Sequence, residues 1–265
     1  MILHSASQLT FIPKRIVSLV PSQTELLHYL GLEEETVGIT KFCIHPKEWF
    51  HSKTRVGGTK TLNIKRIRQL NPDLIIANKE ENVREQVDEL ANNFNVWITD
   101  VNNVTGALHM VNDIGTLTGK IAVAEKLITA IQSEFAKLQT KNHKLNICYL
   151  IWKEPYMTIG GDTFINDILQ QCGLQNIFAD KKRYPEVSIA QLQTIKPDLI
   201  MLSSEPYPFK QKHIDELQHQ LPGTTIMLAD GEMFSWYGSR MLLMPPYLNV
   251  LLADINRLLS VTATI

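Results

Sequence analysis

Cys43 and His45 stand two residues apart in "KFCIHPKEW" (41–49), just before Pro46. Thiolate and imidazole are ligands for zinc, iron or copper. A residue before proline is driven to extended conformations, and in an extended stretch residues i and i+2 share a side. The pair is therefore expected to project together. Two ligands do not complete a structural metal site, which needs about four. For Cys43 the alternative is packing as a small buried hydrophobe. His45 is the candidate for contact with a ligand or its metal.

Glu80 in "NKEEN" (78–82) and Glu205 in "SSEP" (203–206) each follow an apolar run. Paired carboxylates bind a cation or an amine, or work as acid and base. Taken singly, each also reads as a solvated loop residue, and Glu81 as an acid favoured at a helix start. Trp152, Tyr184, Phe234, Trp236 and Tyr237 form an aromatic set, the last three inside the polar stretch "EMFSWYGSR". Such rings suit a flat ligand of corrin or porphyrin type, or else form a hydrophobic plug. Arg240 either meets a carboxylate or phosphate or holds the final helix. "VGGTK" (56–60) lacks the spacing of a phosphate loop. "TIGGDTF" (158–164) reads as a tight turn with Asp162 or Thr163 as N-cap, in preference to an anion site.

These residues need a scaffold, and the periodicity supplies one. "RIVSLV" followed by "PSQTELLHYLGL" predicts strand, turn and helix, with Ser22 as N-cap, Glu25 closing a capping box and Gly31 as the stop. Ile64, Ile67 and Leu70 share a helical face that Pro72 ends, and "DLIIA" is a buried-strand run. The same unit recurs in "SIAQLQTIKPDLIMLSSEP" (188–206). Pro197 lies 125 residues after Pro72, and that offset carries Ile64 to Ile189, Asp73 to Asp198 and Glu80 to Glu205. A period so long predicts two related α/β lobes instead of a solenoid. Between them "GKIAVAEKLITAIQSEFAKLQTKNHK" (119–144) keeps a three-to-four spacing of apolar residues without Gly or Pro after Gly119. It predicts one long, stiff connecting helix. The expected division is 1–118, 119–144 and 145–265, with the last helix bent or restarted at Pro245-Pro246.

The 265 residues are 44% hydrophobic with a formal net charge of −1, which leaves no electrostatic footprint for nucleic acid. Three scattered cysteines make no disulfide framework and fit a reducing compartment. The first residues do not read as a secretory signal, and no stretch approaches the roughly 20 apolar residues of a membrane span. The expectation is a cytoplasmic chain, with a periplasmic one as the alternative.

Taken in order, "RIVSLVPSQTE", the Cys-x-His-Pro element at 43–46, "VGG" at 56–58, the two "PDLI" strands, "CGLQNIF" (172–178), "YPEVS" (184–188) and Ser239-Arg240 resemble the helical-backbone class of ABC-type solute-binding proteins, nearest to its cobalamin-binding and iron-siderophore or haem-binding members. The resemblance spans about residues 13–258. It implies an α/β fold of two Rossmann-like lobes joined by a single long α-helix, with a ligand cleft between the lobes. It implies no catalysis and no intrinsic cofactor; a bound metal, cobalamin or haem enters as ligand. The ligand-binding residues it points to are Pro21, Ser22, His45, Thr59, Lys60, Glu80, Trp152, Tyr184, Glu205, Trp236, Tyr237 and Arg240, with His45 also the metal candidate. The sequence departs from the family at three places. His45 stands where tyrosine is usual, Thr59 where a stacking ring is usual, and Lys65 and Ala190 where a permease-docking glutamate is usual. Those last two put importer docking in doubt. The alternatives are a metal-assisted enzyme using His45, Glu80 and Glu205, and an intracellular ligand sensor or carrier.

Overall fold

The computed structural model describes residues 1–140 and 145–262. The chain forms two compact units. One comprises Met1–Val101, Thr105–Gln132 and Trp236–Leu242; the other comprises Asn102–Val104, Ser133–Ser235 and Leu243–Ile265.

The sheet of the first unit contains β1 (Ile2–Leu3), β2 (Ile16–Ser18), β3 (Thr36–Ile39), β4 (Thr54–Arg55), β5 (Leu74–Asn78) and β6 (Val96–Thr99). Their order is β1-β6-β5-β2-β3-β4, and every pairing is parallel. Parallel neighbours need crossovers, which α1 (Pro21–Tyr29), α2 (Lys47–Ser52), α3 (Ile64–Leu70) and α4 (Arg84–Ala91) provide, with α5 (Val104–Leu117) and α6 (Ile121–Phe135) following. β2 and β5 are buried at every position, as strands covered on both faces should be. The chain leaves β2 for β3 on one side and reaches β5 on the other. That is the switch point outside which open α/β sheets bind ligands, at the strand carboxyl ends.

The second unit repeats the plan on a smaller scale. β7 (Asn146–Leu150), β8 (Gln175–Asn176), β9 (Leu199–Ser203) and β10 (Thr225–Ala229) pair in parallel in the order β10-β9-β7-β8. The helices are α7 (Phe164–Gln171), α8 (Ile189–Ile195), α9 (Gln211–Gln220), α10 (Glu232–Ser235) and α11 (Met244–Thr262). Pro245-Pro246 lies in the first turn of α11, where proline's missing N–H costs nothing.

The internal repeat is visible in detail. α3 and α8 are each seven residues long, capped by Asn63 accepting from the Arg66 amide and by Ser188 accepting from the Gln191 amide. Both end in a left-handed residue, Asn71 (φ 43°) and Lys196 (φ 54°). Asp73 then accepts from the amides of Lys14 and Arg15, and Asp198 from that of Asn146. Each aspartate ties its loop to the start of a neighbouring strand.

Three sequence expectations are corrected. Helix α1 starts at Pro21 with Val20 as an N-cap that makes no side-chain bond, so Ser22 lies inside the first turn; proline at this position needs no amide partner. The connecting helix ends at Phe135, not near His143. The Lys137 and Leu138 amides close four-residue turns onto Glu134 O and Phe135 O, and the Gln139 amide donates to Asn249 Oδ1 at 2.8 Å in place of a helical carbonyl; residues 141–144 of the expected helix lie outside the described ones. Residues 236–242 pack with the first unit, although the sequence places them among elements of the second.

Candidate functional site

In the first unit the candidate residues sit on loops that leave the carboxyl ends of the strands. After β3 the chain makes tight turns, with the Cys43 amide donating to Thr40 O and the Ile44 amide to Phe42 O. The chain therefore turns where the sequence reading had it extended. Cys43 is fully buried, taking Sγ contacts from Thr24 Oγ1 at 3.1 Å and Thr40 Oγ1 at 3.2 Å. Burial pushes its thiol up, against the pull of those hydroxyls. It stays protonated and packs. His45 is only partly buried, and its ring meets the edge of Trp236 at 5.5 Å between centroids.

Trp236 is held from a second side by the Arg240 guanidinium, 4.7 Å from its ring centroid, within cation–π reach. Arg240 in turn makes two hydrogen bonds of 2.9 Å to the Glu25 carboxylate on α1. The planar guanidinium matches a carboxylate at both nitrogens. Gly238, at φ 113°, lets the backbone turn between the rings and Arg240, a conformation that only glycine adopts without strain.

Tyr237 is buried and its phenol is pushed up, chiefly by burial and further by Glu81 and Glu80; bonds from Gln23 and Asn78 pull the other way. Asn78, the last residue of β5, organises the turn that follows. Its Oδ1 accepts from the amides of Glu80 and Glu81, and its Nδ2 donates to Thr99. The Asn82 side chain accepts from the Asn78 amide and donates to Leu19 O and Thr59 O. Lys60 reaches across to the Glu80 carbonyl. The Glu81 carboxyl is pushed up by burial, with Lys60 opposing and Glu80 adding to the rise. Thr59 is only 7% exposed, and Ser22 is buried as well, while Pro21 is partly exposed.

Trp152, Tyr184 and Glu205 belong to the second unit. Trp152 follows β7, is 40% exposed and meets the edge of Tyr207 at 5.7 Å. Glu205 follows β9; its Oε1 accepts from Ser235 Oγ at 2.7 Å, and its carbonyl accepts from Ser203 Oγ. Tyr184 is partly buried in the loop before α8. Lys65 and Ala190 are exposed at matching second positions of α3 and α8. Sequence reasoning missed Gln23, Thr99 and the true role of Glu25. Gln23 and Thr99 show only as polar residues in otherwise apolar windows, and Glu25 finds its partner 215 residues away.

Parallel α/β units with aromatic, imidazole and carboxylate side chains at strand carboxyl ends define a ligand-binding protein of the open-sheet class. The chain belongs to the periplasmic binding protein family, whose pattern matches residues 16–225. It is similar to the vitamin B12-binding protein of Pectobacterium carotovorum subsp. carotovorum (strain PC1), 26% identical over 240 residues that span 88% of this chain and 86% of that one. Two solved structures share the fold. The periplasmic vitamin B12 binding protein BtuF of Vibrio cholerae has a TM-score of 0.74 at 21% identity, covering 92% of this chain and 98% of that one. The periplasmic heme-binding protein RhuT from Roseiflexus sp. RS-1, in apo form, has a TM-score of 0.78 at 18% identity, covering 93% and 99%.

These relationships correct the cytoplasmic expectation and point to a location outside the cytoplasm. The odd cysteine count misled because all three thiols are buried. Burial pushes Cys148 and Cys172 up to about 12, so an oxidising compartment finds no exposed thiolate to attack. Among the described residues no helix is long and apolar enough to cross a membrane.

Proposed function

We propose that this chain is a non-catalytic receptor for a metal chelate or tetrapyrrole-like solute, of cobalamin, haem or ferric siderophore type. The observation that carries the reading is Trp236, held between the His45 imidazole and the Glu25-bound Arg240 at the ligand-binding end of a parallel sheet. The vitamin B12- and haem-binding relatives support the ligand class. His45 is the residue to reach a metal carried in by the ligand. The metal-assisted enzyme has less support, because the family and the relatives this chain resembles are binding proteins. Titration of the purified chain with cyanocobalamin, haem and ferric chelates tests the proposal. A bound ligand at a hundredfold excess over Kd stabilises by about 2.7 kcal/mol, visible as a rise in Tm. No rise and no spectral change with any of them refutes it.

We further propose that this receptor does not dock a permease through a pair of glutamates, since Lys65 and Ala190 occupy the matching exposed positions. Co-purification with its own importer, weakened by Lys65→Glu, supports this; strengthening by the same change contradicts it.

A further inference from the structure

The loop after β3 carries a second ring beside His45. Phe42 is 50% exposed, yet it is not loosely held. The Lys41 amide donates to Gly57 O at 2.8 Å, and a methyl group placed on Gly58 would meet Phe42 Cε2 and Lys41 Cε at 3.2 Å each. Both side chains therefore pack over Gly58, with Thr61 Oγ1 closer still at 3.1 Å, and a side chain at 58 would force these groups to shift by a few tenths of an ångström. The Lys41 ammonium lies 5.1 Å from the Phe42 ring centroid, within cation–π distance.

The other groups on this rim are differently engaged. Residue 59, just after "VGG", is a buried threonine, so that segment presents no ring. The Lys60 ammonium goes to the Glu80 carbonyl and lies in the field of Glu81. Lys41 forms no ion pair among the described residues; its ammonium has only the ring. The rim thus offers an exposed aromatic surface with a lysine ammonium over it and no carboxylate paired to that ammonium among the described residues.

We propose that Lys41 and Phe42, seated on Gly58, recognise a planar conjugated ligand with a peripheral carboxylate. This rests on the receptor function proposed above and narrows it. A ring of this kind stacks or meets edge-on with a macrocycle, and an ammonium makes a charge-assisted hydrogen bond to a carboxylate. A dicarboxylate porphyrin satisfies both groups. A corrinoid whose periphery carries amides satisfies neither the charge nor the flat stacking area.

The test compares ferric protoporphyrin with its dimethyl ester, by Soret absorbance titration of wild type and variants. Wild type is expected to bind the free acid about tenfold tighter than the ester, the ratio one good ion pair supplies. Lys41→Met should bring the free acid down to the ester's affinity and leave the ester unchanged. Phe42→Ala should weaken both by about tenfold. Phe42→Leu keeps an apolar side chain on Gly58, so it isolates the ring's contribution even if the alanine variant fails to fold. Retained selectivity in Lys41→Met, or unchanged affinity in Phe42→Leu, overturns the inference. Binding of cyanocobalamin but neither porphyrin also overturns it and leaves the receptor function standing. Failure to bind porphyrin, cobalamin or ferric chelate alike sinks the receptor function itself.

Discussion

Arg240 clasps Glu25 through two 2.9 Å hydrogen bonds across 215 residues of sequence. The guanidinium side chain is 8% exposed and the carboxylate 21%. Removing one partner strands a desolvated charge, whereas removing both does not. Glu25→Ala should therefore destabilise by about 3 kcal/mol in urea unfolding, and Glu25→Ala with Arg240→Met by clearly less than the sum of the single changes. The same variants should weaken ligand binding, because Arg240 fixes the Trp236 ring. Additive single and double changes would show that the clasp contributes nothing.

Lys196 ends α8 in the left-handed region at φ 54°, where a side chain with Cβ is strained and Gly or Asn is preferred. Its repeat counterpart is already asparagine, at 71. Lys196→Gly is expected to raise stability by about 0.5–1 kcal/mol, and Asn71→Ala to lower it by a similar amount. Thermal melts of the two variants should move in opposite directions.

All three thiols are buried, so the native protein should not react with a thiol reagent on the timescale of minutes, and should react fully in guanidinium. At guanidinium concentrations just high enough to make the thiols reactive, zinc should not slow the reaction of Cys43; zinc-dependent protection there would revive its pairing with His45 as a metal site.

His213 is buried, and its Nδ1 accepts the Lys210 amide at 2.8 Å, which only the neutral ring can do. Its pKa is lowered from 6.5, first by burial and then by Lys153. The folded state thus prefers the neutral form. Its contribution to stability is complete above the unfolded value of 6.5 and declines as pH falls below it. Melting temperature should drop with acidity in that range, and His213→Gln should flatten the slope. An unchanged slope in the variant would remove His213 from the account.

The scaffold was legible in the sequence wherever the signal was local. The 125-residue offset located α3 with β5 and α8 with β9, and their caps and aspartate ties match position for position. The positions of Glu80 and Glu205, each two residues past the end of its strand, followed from the same pattern. What failed depended on partners distant in sequence. Ser22 and Glu25 had the spacing of a capping box, but Pro21 needs no cap and Arg240 claims Glu25. The Cys43–His45 pairing assumed an extended backbone, whereas the chain turns there and hydrogen bonds with the Thr24 and Thr40 hydroxyls hold the thiol inside. Phe42 went unremarked because exposure of a ring cannot be read from its neighbours in the chain. Its seat, Gly58, was read as part of the "VGG" family element and of a failed phosphate loop, with nothing to show what rests on it.

The return of residues 236–242 to the first unit bears on how this protein can be cut. A fragment ending at residue 132 keeps every strand of that unit's sheet but lacks Trp236, Tyr237 and Arg240. It would leave Glu25 without Arg240 and His45 without the Trp236 ring. A split reporter built on this chain therefore cannot divide it into two self-sufficient modules. Reassembly of the halves would itself be the event that restores the Glu25–Arg240 clasp.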